Sequence, residues 1–157
     1  MSDQNIKKIF IIIFSLSFFS LTAALYVEYI LGIKPCILCI YQRVPYVIAL
    51  LISLIAFFTG NRKVILIILG ITFVAGVLLS GYHVGIERGF IEPIFSCTGG
   101  NIDAIEKEEI LKSFDKIQPD CKDVDFSIFG ISLATLNFIN SFVLTIVIVY
   151  TLKYAKK

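Results

Sequence analysis

Two cysteines separated by two residues, Cys36 and Cys39, are the residues of this chain best suited to redox chemistry. Thiols at this spacing can close a disulfide within one helical turn. If a helix begins here, its unpaired backbone N–H groups point at the thiolate and lower the pKa of the first cysteines. Pro35 suits the first position of such a helix. The spacing therefore predicts a redox-active dithiol.

Arg43 follows the cysteine pair, four residues after Cys39. In a continuous helix, Arg43 would share one face with both Cys36 and Cys39. A guanidinium in that position stabilises thiolate charge, so we interpret Arg43 as a functional residue. The alternative is an arginine that extends to the lipid headgroups, which is common at the end of a membrane helix.

The remaining cysteines, Cys97 and Cys121, lie 24 positions apart. A zinc site made of all four cysteines is weakly supported, because the second pair is not a Cys-x-x-Cys. Considered alone, Cys97 and Cys121 suggest a structural disulfide worth about 3 kcal/mol. Beside a dithiol, however, two pairs permit thiol–disulfide exchange from one pair to the next. We therefore predict a relay of two cysteine pairs and no metal ion.

The elements that must position these cysteines are four long apolar segments. The chain has 157 residues, 57% of them hydrophobic, and its mean hydropathy of +0.89 lies outside the range of soluble proteins. The sequence predicts an all-α membrane protein, a single domain over residues 1–157 built as a four-transmembrane-helix bundle. The predicted spans are about 9–27, 40–59, 64–82 and 128–152, with external loops at about 28–39 and 83–127.

Two alternatives concern the first two spans. The first apolar segment could be a cleaved signal peptide, but it is longer than the usual apolar region and lacks a convincing cleavage site. In the second span, Pro45 either kinks the helix or marks its true start.

Basic residues fall on one side of this four-span arrangement, and the positive-inside rule makes that side, with both termini, cytoplasmic. All four cysteines then lie on the opposite face, one pair in each external loop, where disulfides are permitted. The formal net charge of +2 is too small to suggest a nucleic-acid partner. The argument uses the basic residues of the short segments, which are Lys7, Lys8, Arg62, Lys63, Lys153, Lys156 and Lys157.

The longer external loop carries apolar residues at helical spacing between Ile102 and Ile117, interleaved with charged ones. This pattern predicts a short amphipathic helix on the membrane surface or against the bundle. His83, the only histidine of the chain, lies at the outer end of the third predicted span. A role as a ligand competes there with a plain hydrogen bond to backbone or lipid.

These motifs together resemble the disulfide bond formation protein B (DsbB) family, the quinone-reducing membrane oxidases of bacteria. The most specific motif is Pro35-Cys36-x-x-Cys39-x-Tyr41-Gln42-Arg43. Softer similarities are Tyr82-His83-x-Gly85-Ile86-Glu87, Ser96-Cys97-Thr98-Gly99, and the segment Phe129-Gly130-Ile131-Ser132-Leu133 after Cys121. The resemblance covers nearly the whole chain.

The resemblance implies a role for each cysteine and a location in the bacterial inner membrane. A reduced periplasmic thioredoxin-like oxidase of the DsbA kind would attack Cys97 of a Cys97–Cys121 disulfide. Cys121 would exchange with Cys36, and Cys39 would pass electrons to a quinone, either ubiquinone or menaquinone. The quinone would lie close to Arg43, and His83 is the second candidate for quinone binding.

Two other functions fit part of the sequence. Vitamin K epoxide reductases also have four helices and four cysteines, but their Cys-x-x-Cys lies on the last span, whereas here it precedes the second. A non-enzymatic membrane scaffold or metal-handling protein would use the cysteines structurally. Quinone-dependent oxidation of a dithiol protein separates the scaffold from both enzymes.

Overall fold

The computed structural model describes residues 3–58, 62–92, 121, 127–128 and 130–154. These residues form five helices and one short hairpin: α1 (Asp3–Tyr29), α2 (Ile37–Tyr41), α3 (Val44–Phe58), α4 (Arg62–Glu87), β1 (Ser127–Ile128), β2 (Ile131–Ser132) and α5 (Leu133–Tyr154). Four segments are long and apolar enough to cross a membrane: Ile6–Tyr29, Ile37–Phe58, Arg62–Glu87 and Leu133–Tyr154. The prediction of a helical chain with four spans is confirmed.

The long helices pack around a narrow apolar core. α4 packs along α5, α1 packs along α3, and α3 also contacts α4. The centre contains Ile13 of α1, Ala49 of α3, Leu69 and Phe73 of α4, and Ile148 of α5, all fully buried. Large aliphatic side chains on the outer faces stay exposed. In a bilayer these outer faces contact lipid tails, so that helix association depends on close packing inside the bundle.

Small residues bring three helices together at the level of Gly76. A Cβ atom at Gly76 would lie 3.4 Å from Ser141 Oγ of α5 and 3.6 Å from Pro45 Cβ of α3. The backbone of α4 therefore touches side chains of both neighbours, as expected for small residues in membrane helices. This close packing sets the polar side chains at the start of α3 beside those at the start of α5.

The second span is interrupted immediately after the cysteine pair, since α2 ends at Tyr41 and α3 begins at Val44. Pro45 has no N–H to donate to the Tyr41 carbonyl, and its ring is incompatible with a helical carbonyl four residues earlier. Of the two possibilities for Pro45, the structure therefore selects the start of a helix. Arg43 lies in the turn between α2 and α3, so it does not belong to one continuous helix with the cysteines.

The third span is longer than predicted, because α4 continues to Glu87 instead of ending near residue 82. Gly89 then adopts a φ of 72°. Its N–H donates to the Ile86 carbonyl at 3.0 Å, and the Phe90 N–H donates to the Gly85 carbonyl at 2.9 Å. This Schellman arrangement terminates the helix. His83 accordingly lies within α4 and not at the beginning of a loop.

The last span begins at Leu133 and not near residue 128, because the preceding residues form the hairpin. Ser127 pairs with Ser132, and Ile128 pairs with Ile131. Gly130 supplies the positive φ of 78° in the turn between them. The Ser132 hydroxyl then accepts the Thr135 N–H at 3.2 Å and caps the first turn of α5.

The two ends of the bundle differ in chemistry. One end gathers the end of α1, the whole of α2, the start of α3, the end of α4 and the start of α5 around the cysteine pair. The opposite end carries the described basic residues that the orientation argument used: Lys7, Lys8, Arg62, Lys63 and Lys153. The predicted amphipathic helix at 102–117 and Cys97 lie outside the described residues.

Candidate active site

The cysteine pair lies at the beginning of α2, with Cys36 as the N-cap residue. The Cys39 N–H donates to Cys36 Sγ at 3.4 Å, and the Cys36 thiol donates to Cys39 Sγ at 3.2 Å. Cys36 is buried, with 6% of its surface exposed, whereas Cys39 is half-buried. The two sulfurs are therefore in hydrogen-bond contact, and a disulfide between them would shorten their separation from 3.2 Å to about 2.05 Å.

The surroundings raise the pKa of Cys36 to about 12. The largest cause is the hydrogen bond from its thiol to Cys39, and burial of the thiol acts in the same direction. The hydrogen bond with His83 and the backbone N–H of Cys39 lower the pKa, but by less. The expectation that the helix start lowers the pKa of this cysteine is therefore wrong.

His83 contacts the cysteine pair from the neighbouring helix α4. Its Nε2 lies 3.6 Å from Cys36 Sγ, and its Nδ1 lies 2.9 Å from the amide nitrogen of Gln42. Only 2% of the His83 surface is exposed. His83 therefore contacts side chains within the site, and not the backbone or lipid partner that the sequence also allowed.

A line of polar side chains continues from His83 into the span. The Asn137 amide donates to Gln42 Oε1 at 2.8 Å, and the Tyr46 hydroxyl donates to Asn137 Oδ1. The Asn140 amide in turn donates to the Tyr46 hydroxyl at 3.2 Å. Sequence reasoning included Gln42 in the most specific motif but gave no role to it or to Tyr46, Asn137 and Asn140. The available signal was amide and hydroxyl side chains at helical spacing inside apolar spans, where polar groups require partners.

Glu87 lies one turn beyond His83 on α4 and links the site to the hairpin. Its Oε1 is 3.7 Å from His83 Nε2, and its Oε2 accepts the Ser132 hydroxyl at 2.5 Å. Ser132 is also the residue that caps α5. The carboxylate therefore connects the end of α4 to the beginning of α5 beside the imidazole.

Arg43 occupies the turn between α2 and α3 and forms an ion pair with Glu28 of α1. Both side chains are partly buried, with 20% and 25% of their surfaces exposed. The guanidinium is therefore directed by a carboxylate on the first span, which sequence reasoning overlooked. Arg43 lies on the same side of the bundle as Cys36 and Cys39, since all three line one cavity.

Cys121 is brought to the cysteine pair from a distant part of the chain. It is 5% exposed and belongs to a buried cluster with Cys36, Leu38 and Ile86. Three of the four predicted catalytic cysteines thus meet in one region, while Cys97 lies outside the described residues. Cys121 thus belongs to a cluster that contains Cys36 and is contacted by Cys39, which suits thiol–disulfide exchange with this pair.

A cavity of about 460 Å³ opens beside the sulfurs. Its walls come mainly from α1 and α5, two helices that contact each other little. Apolar side chains such as Phe19 and Leu136 line its sides. Its polar end is formed by residues already described: Cys36, Cys39, Gln42, Arg43, Glu28, His83 and Asn137. The size and the lining suit a flat apolar ligand with a polar edge.

Cys36, Cys39 and His83 also form a possible metal-binding group, since their donor atoms lie within 4.8 Å of one another. They would supply two sulfur ligands and one nitrogen ligand to a zinc ion, which takes four ligands. The expectation of no metal ion stays a prediction.

Comparison with known proteins gives the chain a family. The family model described as "Disulfide bond formation protein DsbB" matches residues 6–151. An uncharacterized protein of Rickettsia prowazekii is 31% identical over 154 residues, covering 96% of this chain and 90% of that protein. Disulfide bond formation protein B of Acinetobacter baumannii is 28% identical over 125 residues, covering 74% of this chain and 73% of that protein. The match extends from the first span to the last and includes the cysteine pair, so the chain belongs to the DsbB family of disulfide bond formation proteins.

Proposed function

We propose that this protein reoxidises a periplasmic thioredoxin-like dithiol oxidase and passes the electrons through two cysteine pairs to a membrane quinone. The observation that carries this proposal is the position of Cys36 and Cys39 on the wall of the cavity between α1 and α5. A dithiol that only stabilised the fold would not need an apolar cavity beside it. The family, whose members form disulfide bonds, supports the same conclusion.

The cavity fits a quinone in size and in chemistry. Its apolar walls suit a ring and an isoprenoid tail, and its polar end offers hydrogen-bond donors to a carbonyl oxygen. Lipid-soluble ligands reach such a cavity between helices that face the bilayer. When bound, ubiquinone or menaquinone accepts two electrons and two protons. Oxidation of Cys36 and Cys39 to a disulfide releases that number of each, so the reaction balances without another reactant.

The two cysteines have different tasks in this scheme. Cys36 is the more buried of the two and belongs to the same buried cluster as Cys121, and we assign to it the exchange with that residue. Cys39 is the less buried of the two and delivers electrons toward the cavity. The partner oxidase is a soluble protein, and it would exchange disulfides with Cys97 and Cys121. These two cysteines would then exchange with Cys36.

Arg43 supplies positive charge at the polar end of the cavity. In a medium of low dielectric constant, its guanidinium stabilises negative charge that develops on a nearby oxygen or sulfur. Glu28 holds the guanidinium in place and offsets the cost of burying its charge. We propose Arg43 and His83 as the residues that contact the quinone, with Glu28 positioning the first of them.

The orientation of the protein follows from the two ends of the bundle. We place the basic end in the cytoplasm with both termini, and the cysteine end at the periplasmic surface of the bacterial inner membrane. This orientation gives the cysteines an oxidising compartment and access to a soluble oxidase.

The loop cysteines test the proposed relay. Cys97→Ser or Cys121→Ser should abolish turnover with a reduced thioredoxin-like oxidase, because the protein substrate then has no disulfide to attack. Oxidation of Cys36 and Cys39 by added quinone should continue in both variants, measured as quinol formed per reduced protein. If the loop variants also lose this quinone-dependent oxidation, the two-stage order of the relay is wrong.

Removing the Arg43 guanidinium should impair quinone reduction without unfolding the protein. Arg43→Ala should raise the apparent KM for quinone or slow its reduction by roughly 10²–10³-fold, the range for losing one charge-stabilising donor. Arg43→Lys should recover part of the loss, and Glu28→Gln should have a smaller effect than Arg43→Ala. Lys153→Ala, at the opposite end of the bundle, is the control. Unchanged kinetics for a folded Arg43→Ala protein would move the quinone site elsewhere.

The raised pKa of Cys36 predicts alkaline reactivity. A thiol with a pKa of about 12 is protonated at neutral pH. Its alkylation by iodoacetamide in the reduced protein should therefore rise about tenfold per pH unit through the mildly alkaline range. Site-resolved mass spectrometry measures the alkylation of Cys36 separately from that of Cys39. A Cys36 rate that levels off near neutral pH would instead indicate a thiolate stabilised by the helix start.

A further inference from the structure

We propose that Gln42 and Asn137 are positioning residues that fix His83 as the tautomer with hydrogen on Nε2. The imidazole then donates to Cys36 Sγ and continues a one-way chain of hydrogen bonds that ends on Cys39 Sγ. This inference deepens the proposed function, because Cys39 is the sulfur assigned to the cavity. The experiment that tests it measures which imidazole nitrogen carries hydrogen, and it requires neither quinone nor oxidase. The tautomer proposal and the proposed function can therefore fail separately.

The direction of the chain follows from the chemistry of each atom. The Gln42 amide nitrogen is a donor only, so His83 Nδ1, 2.9 Å away, must accept. Gln42 is held in that orientation because its oxygen accepts the Asn137 amide at 2.8 Å. Asn137 is held in turn because its own oxygen accepts the Tyr46 hydroxyl. Each amide is therefore oriented by the next residue along the chain.

The same chain continues on the other side of the imidazole. With Nδ1 accepting, the single proton of a neutral His83 is on Nε2, which lies 3.6 Å from Cys36 Sγ. The Cys36 thiol then donates to Cys39 Sγ at 3.2 Å. Cys39 Sγ is the final acceptor, so that successive hydrogen bonds polarise one another toward negative charge on that sulfur.

Glu87 selects this direction over its reverse. If both amides were rotated, His83 Nδ1 would carry the proton and Nε2 would present a bare lone pair. That lone pair would face Glu87 Oε1 at 3.7 Å, which is repulsive between two acceptors. A hydrogen on Nε2 removes this repulsion, so the carboxylate and the amides favour the same tautomer.

Burial makes the choice of tautomer matter. His83 is 2% exposed and Gln42 is 6% exposed, so water does not compete strongly for their hydrogen bonds. Carboxamides hold their protons tightly and do not transfer them as hydroxyls or imidazoles do. The chain from Tyr46 to His83 therefore acts by orientation, and it is not a route for protons.

Nitrogen NMR tests the tautomer directly, because His83 is the only histidine in the chain. The full-length reduced protein, labelled with ¹⁵N-imidazole histidine in lipid nanodiscs, should show a protonated Nε2 and an unprotonated Nδ1 near neutral pH. A protonated Nδ1, or one averaged signal from rapidly exchanging tautomers, would overturn the proposal.

Variants of the two amides separate positioning from simple structural support. In Gln42→Met, Nδ1 loses its donor, and in Asn137→Leu, Gln42 loses its orientation. Both variants should increase the fraction of the tautomer with hydrogen on Nδ1, although Glu87 still disfavours it. In Gln42→Glu, a carboxylate that only accepts should move a proton onto Nδ1. Thr145→Val, a conservative change elsewhere on α5, is the control and should keep the wild-type spectrum. If Gln42→Met and Asn137→Leu fold and retain that spectrum, neither residue positions the imidazole.

The functional consequence concerns the rate of the chemical step. Loss of one hydrogen bond that supports a charged group corresponds to roughly a tenfold change in a rate or equilibrium constant. In Gln42→Met, we expect Cys39 alkylation and quinone-dependent oxidation of the dithiol to slow by about that factor, with little change in KM. A change confined to KM would place Gln42 in ligand binding and contradict a positioning role.

Discussion

A polar side chain inside a bilayer has no water to bond with, so its hydrogen bonds must be satisfied within the protein. The contact between His83 and Gln42 is the clearest case, since both residues are almost fully buried. That contact requires α2 and α4 to lie side by side, and Asn137 adds α5 to the same arrangement. The position of the cysteine pair depends on this network, because His83 also touches Cys36.

The site connects two environments that do not mix. Cys36 and Cys121 belong to one buried cluster, while the cavity between α1 and α5 adjoins the lipid-facing helices. In the proposed function, a lipid-soluble acceptor and an aqueous protein substrate would react with neighbouring sulfurs. The ion pair of Arg43 with Glu28 keeps a charge at this boundary without leaving it unpaired.

Much of the fold could be predicted from the sequence, because apolar length and the placement of charge decide how many times a chain crosses a membrane. The Cys-x-x-Cys and Arg43 were also recognisable as local motifs. The partners of these residues were not, since Glu28, Gln42 and Asn137 join the site only when three spans pack together. Two local expectations failed for reasons that the motif did not include: Pro45 begins a new helix after Arg43, and the hydrogen bond to Cys39 together with burial raises the pKa of Cys36.

The account depends most on electrons leaving Cys36 and Cys39 directly to a quinone in the cavity beside them. An anaerobic titration of the fully reduced protein with a soluble quinone analogue tests this, using a variant with both loop cysteines replaced by serine. The account predicts one quinol formed for each Cys36–Cys39 disulfide, counted by absorbance and by mass spectrometry. Persistence of the free thiols with no quinol formed, in a protein shown to be folded, would contradict it.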